Sequence, residues 1–144
     1  MRLVRELMTS DVEVVDAEAT LQTAAERMKH RDVGFLPVVQ SDRLVGLLTD
    51  RDLTTRAMAS GLDPNRTHVS DIMTPRIWWI YEDQPVEDAG FLMQDKKVRR
   101  LIVLNREQQP IGVLSLGDIA VHAAEQPTTA GEVLRRVSEP AHPR

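Results

Sequence analysis

The chain has 144 residues, of which 42% are hydrophobic but only 3% aromatic, and it carries a net charge of −4 with no cysteine. That length suits one compact domain or two small repeats sharing a core of Val, Leu, Ile, Ala and Met; the missing cysteines exclude disulfides, thiolate metal sites and thiol catalysis. The mild acidity, without a Lys/Arg block, gives no footprint for nucleic acid, and no apolar run approaches the ~18 residues of a membrane span, so the expectation is a cytoplasmic protein without nucleic-acid or membrane partners.

In chain order, Leu7-Met8-Thr9 leads into a short strand. After Thr20, Leu21, Ala24, Ala25 and Met28 fall at the i, i+3, i+4, i+7 spacing of an amphipathic helix. Phe35-Leu36-Pro37-Val38-Val39 reads as a buried strand, and Gly46-Leu47-Leu48 as the second strand of a hairpin. A closing helix is predicted from about Asp50 to Ser60, ended by Gly61 and kept from resuming by Asp63-Pro64. Residues 61–68 read as a linker.

The pattern then recurs. Ile72-Met73-Thr74 repeats Leu7-Met8-Thr9 at an offset of 65 residues, and Val86, Ala89, Gly90 and Met93 repeat the helix face at that same offset. Arg100-Leu101-Ile102-Val103-Leu104 is the matching strand. From Gly46 to Gly112 the offset is 66, the extra residue belonging to the turn around Asn105 to Gln109. Thr129-Ala130-Gly131-Glu132 forms a capping-box pattern before Val133, Leu134 and Val137 and predicts a last short helix, stopped by Pro140 and Pro143. The predicted organisation is repeat 1 over 1–60, linker 61–68, repeat 2 over 69–126 and a tail over 127–144. The fold class is α/β (α+β): two repeats, each a small sheet packed with helices, related by a pseudo-twofold axis because one repeat alone cannot cover both faces of its sheet.

These residues resemble the CBS domain family, named after cystathionine β-synthase, whose members occur as tandem pairs. The resemblance runs from Val4 to about Val121 and is carried by Met8-Thr9, the run Val33 to Val39 and the run Gly46 to Asp52, with Val98-Arg99-Arg100-Leu101 and Gly112 to Asp118 in the second half. Tyr81-Glu82-Asp83-Gln84 is similar to a bacterial two-repeat subgroup that includes hypoxic response proteins. Ile102 stands where the family usually has a proline like Pro37, and Trp78-Trp79 stand where smaller residues are common.

Thr49 to Asp52 and Ser115 to Asp118 both lie where a strand gives way to a helix. One reading is a capping box, in which hydroxyl and carboxylate satisfy each other's backbone N–H groups. The other is a ligand site: helix N–H groups receive a phosphate while the carboxylate accepts the hydroxyls of a ribose. The two are compatible. The resemblance implies two ligand sites in the cleft between repeats. One would combine Thr9, Val12, Glu13, Val33, Gly34, Phe35 and Pro37 with Ser115 and Asp118. Its twin would combine Thr74, Ile77, Trp78, Val98, Arg99 and Arg100 with Thr49 and Asp52. The implied effector is an adenine nucleotide (AMP, ADP, ATP) or a similar adenosyl ligand, with no cofactor required.

Trp78 and Trp79 on one strand must face opposite ways, either both structural or one a stacking platform for a base. Arg99-Arg100 reads as a phosphate contact or a solvated pair. His30, His68, His122 and His142 lack close ligand spacing, so no metal site is predicted. With no nucleophile elbow or Ser/His/Asp set the expectation is not an enzyme. The leading reading is a regulatory ligand sensor in which binding shifts the packing of the repeats and alters an unknown protein partner or the dimer; the alternative is a CBS-fold dimerisation or interaction module with no nucleotide. A homodimer is expected through the helices after Thr20, Thr49, Pro85 and Ser115, by way of Met28, Met58, Leu92, Met93 and neighbours, the spacing leaving open which of them face the partner and which the core.

Overall fold

The computed structural model describes residues 2–123, and the last short helix expected after Thr129 lies outside them. Two compact units emerge. One holds residues 78–106 and 111–123 together with the N-terminal residues 2–12, and the other holds Glu13–Ile77 with Glu107–Pro110. The N-terminal Met-Thr segment therefore packs with the sheet of the second repeat, a long-range pairing that no local pattern encodes.

The 13–77 unit contains a sheet ordered β2-β3-β4, from β2 (Val15–Asp16), β3 (Phe35–Gln40) and β4 (Arg43–Thr49). Parallel β2 and β3 are joined through helix α2 (Leu21–Arg31), whose first turn is capped by the Thr20 side chain accepting from the Thr23 N–H at 3.2 Å. The β3–β4 hairpin turns on Ser41 and Asp42, both at positive φ (52° and 65°), the geometry of a two-residue turn matched to strand twist. Leu21, Ala24 and Met28 bring the apolar face of α2 onto Leu36, Val38 and Leu48 of the sheet, with Val69 and Ile72 of the short helix α4 (Val69–Ile72) completing the core.

The other unit repeats the plan with one more strand. Helix α1 (Val4–Leu7) and strand β1 (Thr9–Ser10) precede it in the chain, and its sheet is ordered β1-β7-β6-β5, with β5 (Trp79–Tyr81), β6 (Arg100–Leu104) and β7 (Pro110–Ser115). Helix α5 (Val86–Lys96) links parallel β5 and β6, and α6 (Leu116–Ala123) closes it. Val86, Ala89 and Met93 meet Leu101, Val103, Leu114 and Ile119 in its core. Both α2 and α5 end on a non-glycine residue in the left-handed region, Asp32 and Lys97, and in both the next N–H returns to the helix, Val33 to the Met28 carbonyl and Val98 to the Met93 carbonyl. The hairpin turn after β6 is tied down by Arg106, which donates to both carboxylate oxygens of Asp83 at 2.8 and 3.0 Å and lies over the Tyr81 ring. That guanidinium holds the Asp83 carboxyl below its usual range.

The closing helix of repeat 1 departs from expectation. It begins as α3 (Asp50–Asp52), but Leu53–Met58 is a π-helix, with the Ala59 N–H reaching back to the Thr54 carbonyl. The hydroxyls of Thr54 and Thr55 donate to the carbonyls of Asp50 and Arg51, four residues back, an arrangement that widens and bends a helix. Gly61, at φ +68°, terminates the segment as expected. Met28 and Met93 are core residues of their own units, while Met58 is 76% exposed, so of these three only Met58 is open to a partner. Trp78 packs against the core beneath Lys96, and Trp79 is partly exposed with its ring edge against Tyr81. Among the described residues no helix is long and apolar enough to cross a membrane.

Candidate functional site

Both Thr/Ser-x-x-Asp runs form capping boxes. The Thr49 hydroxyl accepts from the Asp52 N–H at 3.1 Å, and Asp52 Oδ2 accepts from the Thr49 N–H at 3.0 Å. In the second repeat Ser115 Oγ accepts from the Asp118 N–H at 3.1 Å and Asp118 Oδ2 from the Ser115 N–H at 2.8 Å. The capping reading thus holds twice, and each box leaves its second carboxylate oxygen, Oδ1, for something else. Each run is also braced from the residue just before strand β3 or β6: the Gly34 carbonyl accepts from the Asp50 N–H, and the Arg99 carbonyl from the Leu116 N–H.

The two Oδ1 atoms have different surroundings. Asp52 is 7% exposed; its Oδ1 accepts from the Thr74 hydroxyl at 3.5 Å and lies 3.6 Å from Nε of Arg56, one helical turn on. Arg56 also donates to the Ile72 carbonyl at 3.4 Å. Asp118 is half-buried and, among the described residues, has no partner beyond Ser115. It lines a cavity of about 260 Å³ together with Arg2, Glu6, Leu7, Val121 and His122. His122 occupies the position that Arg56 holds in the first repeat.

The remaining residues implied by the resemblance divide between the units. Of the first set, Thr9, Val12, Ser115 and Asp118 belong to one unit, and Glu13, Val33, Gly34, Phe35 and Pro37 to the other. Of the twin set, Thr49, Asp52, Thr74 and Ile77 share one unit, while Trp78, Val98, Arg99 and Arg100 lie in the other. Within the units the structure brings Thr74 to Asp52, sets Thr9 opposite Val113 on β7, and sets Phe35 opposite Thr49. Glu13 is engaged by Arg27 and Arg31 at 3.8 and 3.5 Å, a surface ion pair that contributes little to stability. Pro37 is buried within β3. Arg56 and His122 were not singled out by motif, although the i, i+4 spacing from each Asp placed them on the same helix face. No three His, Asp or Glu side chains cluster as metal ligands among the described residues.

A glycine in each hairpin accommodates a Met-Thr segment. A Cβ on Gly46 would fall 2.6 Å from Met73 Sδ, and one on Gly112 would fall 2.7 Å from Met8 Sδ. The bare backbone lets Thr74 bridge to Leu47 and Thr9 pair with Val113, which is what carries Thr74 to within reach of Asp52.

The model of the CBS domain family matches residues 4–58 and 69–125. The CBS domain-containing protein YhcV of Bacillus subtilis is 36% identical over 138 residues, 96% of each chain. Hypoxic response protein 1 of Mycobacterium tuberculosis is 33% identical over 126 residues, 87% of each chain, and a crystal structure of Hypoxic Response Protein I with two coordinated zinc ions superimposes with a TM-score of 0.73 at 32% identity, covering 85% of this chain and 99% of that one. A crystal structure of CBSX2 in complex with AMP gives a TM-score of 0.69 at 29% identity, covering 88% of this chain and 98% of that one.

Proposed function

The chain belongs to the CBS domain family, and from that premise we propose that it is a cytoplasmic regulatory module, not an enzyme, whose effector is an adenine nucleotide or a related adenosyl ligand. The observation that carries this reading is the duplicated carboxylate at a helix start, above all Asp118, which keeps an oxygen without a protein partner among the described residues and lines a cavity. A carboxylate so placed accepts the hydroxyls of a ribose, while the Ser115 hydroxyl and the positive end of the α6 dipole favour a phosphate. The AMP complex of a 29% identical relative supports this choice of ligand, and the hypoxic response relative supports a role under stress. The ligand would act by favouring one packing of the repeats over another, which an unidentified protein partner reads.

Titration calorimetry with AMP, ADP, ATP, NAD and S-adenosylmethionine tests the reading. Asp118→Ala is expected to weaken the best of these by about 1.5–3 kcal/mol, the worth of a hydrogen bond to a charged group. Unchanged affinity in a variant with a native circular dichroism spectrum would reduce Asp118 to a helix cap. No binding of any of the five would favour the ligand-free interaction module.

We propose further that the module works as a homodimer. Met58, Val121 and Phe91 are 76%, 74% and 58% exposed, on helices of both repeats, and exposed apolar side chains of this size mark association surfaces when they are contiguous. A twofold pair is the commonest closed arrangement. Sedimentation equilibrium at micromolar concentration should give the mass of two chains, falling to one in Met58→Asp. A wild-type mass of one chain, with or without nucleotide, would refute the dimer.

A further inference from the structure

We infer that Arg56 sets the number of nucleosides the chain takes up, by closing the Asp52 carboxylate and leaving Asp118 as the one ribose acceptor. This deepens the nucleotide reading above and rests on it. The two capping boxes are the same in their backbone bonds, so the difference lies in the other carboxylate oxygen. A carboxylate that grips the two hydroxyls of a ribose needs free lone pairs pointing away from its cap. At Asp52 that oxygen faces Arg56 Nε at 3.6 Å and the Thr74 hydroxyl at 3.5 Å, and the carboxylate side chain is 9% exposed.

The pair is half-buried, with the Arg56 side chain 52% exposed and that of Asp52 9%, and is screened less than one in open water. A neutral hydroxyl entering in place of the guanidinium would leave the largely buried Asp52 carboxylate without its counter-charge, a cost that falls on the carboxylate because the half-exposed guanidinium regains water. Arg56 is oriented toward Asp52 by a second, long bond, 3.4 Å, to the Ile72 carbonyl. It sits on the π-helical segment Leu53–Met58, an irregularity frequent at functional positions.

The second repeat lacks this closure. His122 replaces the arginine, Thr9 makes no bond to Asp118 among the described residues, and the carboxylate opens on the cavity of about 260 Å³. That volume is below the roughly 300–1,000 Å³ of a whole small-molecule site, so it suits the sugar end of the ligand, not the base.

Titration calorimetry with AMP, counting molecules bound per chain, is the test. The wild type should bind one, and Asp118→Asn should weaken that event at least tenfold. Arg56→His, which transplants the residue of the second repeat, should bind two, and adding Asp52→Asn should remove the second. Arg56→Met serves if the histidine variant does not fold. Two AMP on the wild type, or one on both the wild type and a natively folded Arg56 variant, would overturn the inference and leave the nucleotide reading standing. None on either protein would overturn both, and none on the wild type with one on the variant would overturn the assignment to Asp118.

Discussion

Replacing Gly112 with alanine should destabilise the chain by about 1–3 kcal/mol, the range for forcing a methyl group into filled space. The new Cβ would stand 2.7 Å from Met8 Sδ and 2.8 Å from the Thr9 carbonyl oxygen. The sulfur can swing away on its flexible side chain. The carbonyl cannot, because Thr9 is held in register against Val113 and Ser10 against Gly112 itself, so relief requires β1 to lift off β7. Gly46→Ala is the internal control. There the contacts are 2.6 Å to Met73 Sδ but 3.1 Å to the Thr74 carbonyl oxygen, a backbone approach that a shift of a few tenths of an ångström relieves. Alanine also recovers about 0.5–1 kcal/mol of the backbone entropy that glycine loses on folding, which offsets most of a mild clash and little of a severe one. Urea denaturation of both variants should rank Gly112→Ala clearly below Gly46→Ala, and equal stabilities, or the reverse order, would contradict the geometry.

The same pair of glycines marks the limit of what the sequence alone discloses. The offset of 65 residues between Met8-Thr9 and Met73-Thr74, and of 66 between Gly46 and Gly112, makes the repeat legible, and from it the helices over Leu21–Arg31 and Val86–Lys96 and the paired hairpins follow by periodicity. Which Met-Thr segment meets which glycine does not follow. The two segments and the two glycines have the same chemistry, so the pairing of β1 with β7 is decided by long-range geometry, not by local preference. The π-helix over Leu53–Met58 escaped for a related reason: it depends on which carbonyls the Thr54 and Thr55 hydroxyls choose, and threonine in a helix pattern does not announce that choice. At the site the capping boxes are readable from Thr49-x-x-Asp52 and Ser115-x-x-Asp118. What separates the two carboxylates is one residue four positions further on, Arg56 or His122, and its weight appears only when the burial of Asp52 is seen beside it.

Met93→Ala should destabilise the chain by about 2–5 kcal/mol, the cost of truncating a core methionine, and that loss should be independent of protein concentration. Helical spacing offers Met93 to a dimer interface or to the core without choosing between them, and the fold seals it at 0% exposure inside its own unit. It lies on the buried face of α5 with Val86 and Ala89, against a core that includes Ile80, Leu101, Val103 and Leu114. The space left by its removal is walled by residues of three strands, β5, β6 and β7, and cannot collapse without moving them, which places the cost toward the upper part of the range. The carbonyl of the same residue accepts from the Val98 N–H, so a shift of α5 to fill the void would also disturb the turn that leads into β6. Met58→Ala is the contrast, a 76% exposed side chain whose loss should change monomer stability by less than about 0.5 kcal/mol. Urea midpoints measured at two protein concentrations tenfold apart separate the cases. A Met93→Ala deficit that shrinks as concentration rises would put the side chain back at a subunit interface.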